Sequence, residues 1–373
     1  VTEPRDQVTQ AQRIVVKIGS SSLTGEDGHL NETALGNLVE ALSAWHARGK
    51  QVVLVTSGSI AAGIGPLGLP ARPRSLKTAQ ATASVGQGML IAAYSREFAS
   101  HGLHVGQVLL TEDDVVRRGH YGNAERALEQ LLALDVVPIV NENDTVATDE
   151  IRFGDNDRLA ALVATVVKAD ALVLLTDVDS LYTAAPGTPG ARRIDVVHGP
   201  EDLGGIDVSH RGSALGTGGM VTKLEAATIA TSSGVLTVLT SANSITQVLE
   251  GEPVGTLFMP TGRHEGARLT WLAHAARTEG QLILDAGAVA ALEGRRASLL
   301  AAGVRAVRGE FDVGDPIELV GPDRVVVARG LSAFASHEIP QMLGQTTDQL
   351  REELGEHFAR PIVHIDDLVV IAP

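Results

Sequence analysis

The sequence predicts an α/β protein: a three-layer, mainly parallel sheet covered by helices on both faces, followed by a small β-rich C-terminal domain. Three observations predict it. Short apolar runs alternate with longer helical patterns as far as about residue 258. Hydrophobic residues make up 44% of the chain and aromatic residues only 3%, so the core is aliphatic, as in buried parallel strands. From Gln281 onward the apolar runs are short, and turns such as Arg308-Gly309, Val313-Gly314-Asp315 and Gly321-Pro322-Asp323 separate them.

The elements follow in chain order. Predicted strands are Arg13–Ile18, Gln51–Thr56, Val105–Leu110, Val136–Val140, Ala171–Thr176 and Val235–Leu239, each a compact run rich in Val, Ile and Leu. Helical spacing over Thr33–Arg48, Ser75–Ser100, Asn123–Leu134, Asp157–Lys168 and Gly219–Ser233 fills the intervals between them. In such a sheet, ligands bind beyond the carboxyl ends of the strands. Residues Met259 to Glu279 form a polar joint. Beyond it, Leu282–Leu284, Val304–Val307, Pro316–Leu319, Val325–Ala328 and Leu368–Ile371 read as strands. The expected boundaries are 1–262 for the α/β domain, 263–279 for a linker and 280–373 for the β-rich domain, sizes ordinary for domains.

Composition excludes several function classes. The formal net charge of −15 opposes general binding to nucleic acid or anionic membrane. The absence of cysteine rules out a disulfide framework and any thiolate nucleophile or ligand. Val1 to Gln12 is polar, without the apolar centre of a signal peptide, and no apolar run approaches the ~18 residues of a membrane span. The expectation is a cytoplasmic protein.

The chain has five lysines, and two of them flank glycine-rich turns. Lys17 ends the first strand just before Gly19-Ser20-Ser21-Ser22, and Lys223 closes Gly216-Thr217-Gly218-Gly219-Met220-Val221-Thr222-Lys223. Glycine lets backbone N–H groups approach an anion, a helix start adds partial positive charge, and lysine supplies a mobile cation suited to phosphate. Each turn alone reads equally well as an ordinary loop with a solvated lysine. Neither is a Walker A loop, since no Gly-Lys-Ser/Thr follows a four-residue spacer. Gly63-Ile64-Gly65-Pro66-Leu67-Gly68 matches a dinucleotide fingerprint in letters only. Pro66 interrupts it, no strand precedes it, and no acidic residue stands about 20 positions later, so it reads as a loop.

Other polar clusters also follow predicted strands. Thr56-Ser57-Gly58-Ser59 offers hydroxyls and N–H groups for a carboxylate or phosphate, or a plain helix cap. Asn141-Glu142-Asn143-Asp144 reads either as a solvated loop or as a receiver for an ammonium group. In Phe153-Gly154-Asp155-Asn156-Asp157, two carboxylates would repel a phosphate unless they oriented lysines or shared a metal. Thr176-Asp177 follows the most apolar strand and suits the nucleoside part of a ligand. No H-E-x-x-H and no G-x-S-x-G occurs, so neither a protein-held zinc nor a serine elbow is expected.

In this order the motifs resemble the amino acid kinase superfamily, at its glutamate-phosphorylating branch. The matching runs are Val16–Ser20, Val55–Ile60, Val105–Thr111, Asn141–Asp144, Gly154–Asp157, Leu175–Asp177 and Gly216–Lys223, so the resemblance spans nearly the whole chain. It implies the sheet of the amino acid kinase type and a PUA-like C-terminal domain. It also implies phosphoryl transfer from ATP to the side-chain carboxylate of glutamate, the first step of proline biosynthesis.

The roles it implies are specific. Lys17 and Lys223 neutralise the transferring phosphoryl group, and Asp157 orients them. Ser57, Asp144 and Asn156 bind glutamate. Lys17, Gly19, Thr176, Asp177, Thr217, Gly218, Gly219, Met220, Val221, Thr222 and Lys223 bind ATP. Mg²⁺ arrives with the nucleotide, held by phosphate oxygens and water rather than by a protein metal site. The resemblance further implies feedback inhibition by proline, a homo-oligomer, and handover of a labile acyl phosphate to glutamate-5-semialdehyde dehydrogenase. PUA domains often bind RNA, but residues 277–373 carry nine arginines against fifteen acidic residues, which opposes phosphate-backbone binding.

Overall fold

The computed structural model describes residues 4–25, 30–111, 114–115, 118–146, 156–184, 188–203, 219–262, 272, 278–295 and 297–371. The chain divides into two compact units that part between Glu265 and Gly266.

The first unit is built on one sheet. Its strands are β1 Arg13–Ile18, β2 Gln51–Thr56, β3 His104–Leu110, β4 Val136–Glu142, β5 Ala171–Thr176, then β8 Val196–Val197, β9 Leu236–Ser241 and β10 Thr256–Phe258; Leu181–Tyr182 (β6) and Arg193–Ile194 (β7) pair separately. The order across the sheet is β3-β4-β2-β1-β5-β9-β10-β8. All pairs are parallel except β10 with β9. Central strand β1 puts Lys17 level with Val55 of β2 and Leu174 of β5.

Both faces of β1, β2 and β5 are buried, which is why their sequences are unbroken aliphatic runs rather than alternating ones. Helix Glu32–His46 starts where Asn31 accepts a hydrogen bond from the Ala34 N–H at 3.0 Å. Helix Leu76–Ser100 starts in the same way at Ser75. Trp45, Tyr94 and Phe98 from these helices are fully buried against the sheet's aliphatic core.

The structure corrects several expected bounds. β4 continues through Asn141 and Glu142, and both are buried, so the polar run begins inside the strand and not in a loop after it. The helix expected from Asn123 already starts at Arg118. The Gly63–Gly68 stretch is only partly a loop, since Gly63 and Ile64 end helix Ser59–Ile64. That helix lies tightly against Leu76–Ser100: a Cβ on Gly63 would sit 2.1 Å from the Thr82 carbonyl oxygen, and one on Gly86 would sit 1.8 Å from that of Ser59. Only glycine allows this approach.

The second unit holds a five-stranded sheet of β11 Gly280–Leu284, β12 Val304–Gly309, β13 Pro316–Val320, β14 Val326–Leu331 and β15 Leu368–Val370, in the order β12-β11-β13-β14-β15. β11 and β13 are parallel and the remaining pairs antiparallel. Two helices that the strand-like runs did not announce, Ala286–Arg295 and Thr347–Glu353, complete it. Phe334, Ile339, Met342 and Ile362 fill its core. Among the described residues no helix is long and apolar enough to cross a membrane.

Candidate active site

At the carboxyl end of β1, Lys17 is 2% exposed, and its Nζ lies 2.6 Å from Asp157 Oδ1. Lys223, in the first turn of helix Met220–Ser232, places its Nζ 2.9 Å from Asp157 Oδ2. Asp157 itself is 0% exposed. It stands in the first turn of helix Asn156–Val166, where a carboxylate also meets the positive end of the helix dipole. The two helices pack against each other, so three elements converge on one carboxylate. Two buried ammonium groups thus contact one buried carboxylate, one on each oxygen. Lysine ammonium groups held side by side in this way are chemically suited to phosphate oxygens.

Around this cluster lie the other expected residues. Gly19 precedes the short helix Ser20–Leu23, and a Cβ there would sit 3.7 Å from Lys17 Nζ, close to the ammonium. Gly219 precedes helix Met220–Ser232 in extended conformation, and the Thr222 hydroxyl donates to its carbonyl at 2.9 Å. Val221 is exposed and Met220 half-buried. At the end of β5 the Thr176 hydroxyl donates to Asp177 Oδ1 at 2.9 Å. Thr217 and Gly218, like Gly154 and Asp155, lie outside the described residues.

A second, amide-rich cluster adjoins the lysines through the chain itself, because Asn156 precedes Asp157. The buried Asn156 Nδ2 donates to the Thr56 carbonyl at 2.6 Å, to Asn141 Oδ1 at 2.7 Å and to Ser57 Oγ at 3.1 Å. Asn141 Nδ2 donates in turn to Gln87 Oε1 at 2.6 Å. Ser59 Oγ donates to Asp144 Oδ2 at 2.6 Å. Ser57 and Asn156 are thus brought together, and Asp144 is tied to the same Ser57–Ser59 turn. Gly58 at that turn has φ +105, the left-handed region that favours glycine. Below it, the Thr56 hydroxyl and the Tyr94 phenol lie 2.9 Å apart, and burial pushes the Tyr94 phenol up, so it stays neutral.

Sequence reasoning named Ser59 only as part of the Thr56–Ser59 cluster and Gly63 only as part of a loop, and it did not single out Gln87 or Gly86. The available signal was glycine inside a helical pattern: Gly86 and Gly88 would weaken helix Leu76–Ser100 without a packing reason, and Gln87 stands between them. His101 and His104 are three apart, a spacing metal sites use, but both are exposed. Among the described residues no group of three or more His, Cys, Asp or Glu could hold a metal ion.

The model of the Amino acid kinase family matches residues 12–240, and that of the PUA domain matches residues 280–354. A glutamate 5-kinase of Salinispora arenicola is 57% identical over 368 residues, covering 98% of this chain and 100% of its own. Glutamate 5-kinases of Streptomyces avermitilis and Thermobifida fusca are 55% and 54% identical, covering 99% and 100% of this chain and 99% and 96% of their own.

Proposed function

The chain belongs to the glutamate 5-kinases of the amino acid kinase family, and we propose that its Lys17–Asp157–Lys223 cluster is what makes the phosphoryl transfer possible. The reaction is ATP-dependent phosphorylation of the glutamate side-chain carboxylate. A carboxylate oxygen attacks the γ-phosphorus. The new O–P bond forms as the bond to the β,γ-bridging oxygen breaks, and that electron pair leaves with ADP. No proton moves, because a carboxylate with a reference pKa of about 4.3 is already an anionic nucleophile at neutral pH. The barrier lies in bringing two anions together, so positioning and charge neutralisation carry the catalysis.

In this reading Lys17 and Lys223 stabilise the transferring group from two sides, and Asp157 holds both ammonium groups in place. The supporting observation is the double contact, at 2.6 and 2.9 Å, on one fully buried carboxylate. Gly19, Gly219 and the start of helix Met220–Ser232, with Val221 and Thr222 in its first turn, give phosphate oxygens close access, and the sequence motif adds Thr217 and Gly218 to the proposed ATP-binding residues. Thr176 and Asp177 face the nucleoside. Both Asp157 oxygens are engaged by lysines, which fits a Mg²⁺ ion held by nucleotide oxygens and water. Such an ion supplies further neutralisation of the phosphate charge.

Glutamate is held by Ser57, Asp144 and Asn156, with Asp144 meeting the ammonium group. Proline carries the same α-carboxylate and a cationic nitrogen but no side-chain carboxylate, so it competes there without reacting. The acyl phosphate is labile and calls for a reductase to consume it, the handover expected of glutamate-5-semialdehyde dehydrogenase. We further propose a homo-oligomer, with residues 1–262 carrying the chemistry and 280–373 a structural or regulatory part. Steady-state assays with Lys17→Met test the central assignment: kcat falls far more than ADP affinity, and a variant with near-normal turnover would sink it.

A further inference from the structure

The amide cluster has a fixed polarity. The Thr56 carbonyl can only accept, so Asn156 must turn its Nδ2 toward it, at 2.6 Å. The backbone N–H of Glu142 can only donate, so Asn141 must present its Oδ1, at 2.9 Å. That same oxygen accepts from Asn156, which leaves Asn141 Nδ2 to donate to Gln87 Oε1 at 2.6 Å. The backbone thereby dictates the orientation of all three side-chain amides. At the two ends of the chain, two buried atoms have no partner among the described residues: the acceptor Asn156 Oδ1 and the donor Gln87 Nε2. A buried amide left without a partner is destabilising, and native proteins rarely tolerate one without a reason.

The position of Gln87 supplies the reason. Its neighbour Gly86 has no room for a Cβ beside Ser59, and Ser59 is the residue bonded to Asp144. Gln87 is therefore clamped next to the turn that carries Ser57 and Ser59, and it is bonded through Asn141 to Asn156. Glutamate brings three charged groups to such a site. The side-chain carboxylate goes to the lysines and the ammonium to Asp144, so the α-carboxylate still needs donors. We propose that Gln87 is a further substrate-binding residue, its Nε2 donating to an oxygen of the substrate α-carboxylate. This rests on the glutamate-kinase reading above.

Two variants of the full-length enzyme separate this contact from a merely structural role. Gln87→Glu keeps the acceptor for Asn141 but replaces the donor with a like charge. Gln87→Leu removes both. KM for glutamate, KM for ATP and kcat are measured for each, with thermal melting to confirm folding. Loss of a hydrogen bond to a charged group raises KM for glutamate roughly 10- to 100-fold. Gln87→Glu should be at least as severe as Gln87→Leu, with KM for ATP little changed. Its defect should ease as the pH falls toward about 5, where the introduced carboxyl regains a proton and becomes a donor again. Near-normal KM for glutamate in Gln87→Glu overturns the proposal, whether or not Gln87→Leu is impaired. If Gln87→Leu fails to fold, Gln87→Glu carries the test alone. A wild-type enzyme that ignores glutamate would instead overturn the kinase reading.

Discussion

At the scale of a single residue, Asp157 contacts two lysines at once, Lys17 through Oδ1 and Lys223 through Oδ2, which is the basis of its proposed role in orienting them. Replacing it with asparagine removes the carboxylate that both buried ammonium groups contact. The expected cost in stability is on the order of 3 kcal/mol, read as a lowered Tm, together with a collapse of kcat. Lys17→Met should leave Asp157 paired with Lys223, so the fold survives while kcat drops roughly 100- to 1000-fold. ADP binding, followed by calorimetry, should change much less. Lys17 and Lys223 were legible in the sequence from the order of the motifs around them, since either glycine-rich turn alone reads equally well as an ordinary loop. Asn141 was harder: its burial follows from β4 extending two residues past the apolar run, and nothing in Asn-Glu-Asn-Asp announces that. Gln87 was not legible at all, since its partner lies on a strand far along the chain.

Among the elements, the contact between helices Ser59–Ile64 and Leu76–Ser100 has the clearest link to function. Gly63 and Gly86 let the backbones touch, and Ser59, which holds Asp144, belongs to the shorter helix. Gly86→Ala must push the two apart, because its Cβ would meet the Ser59 carbonyl oxygen at 1.8 Å. The expected destabilisation is about 1–3 kcal/mol. KM for glutamate should rise while KM for ATP holds, because the displaced turn is the one proposed to bind the amino acid. The apolar periodicity revealed the parallel strands well, for buried strands must be aliphatic on both faces. It revealed the helices of the second unit poorly. Ala286–Arg295 is short and rich in small residues, and Thr347–Glu353 is a single mostly exposed turn pair set by a Thr346–Gln349 capping box. Thr346→Ala should cost about 1 kcal/mol in the melting of that unit and leave turnover intact.

For the whole molecule, the proposed division of labour puts the chemistry in the first unit, which the amino acid kinase model matches over residues 12–240, and does not require the second. A chain of residues 1–262 should therefore still phosphorylate glutamate, and proline should raise its apparent KM for glutamate without lowering kcat. The acidic balance of residues 277–373 predicts no binding of structured RNA at physiological salt, checked by titration across ionic strength. The most direct measurement of the central claim is trapping of the acyl phosphate with hydroxylamine, in the presence of Mg²⁺ and ATP, for the wild type and Lys17→Met. The account predicts hydroxamate formation that depends on glutamate, is not supported by aspartate or N-acetylglutamate, and nearly vanishes in the variant. Equal trapping in the variant, or ADP release that ignores glutamate, would contradict it.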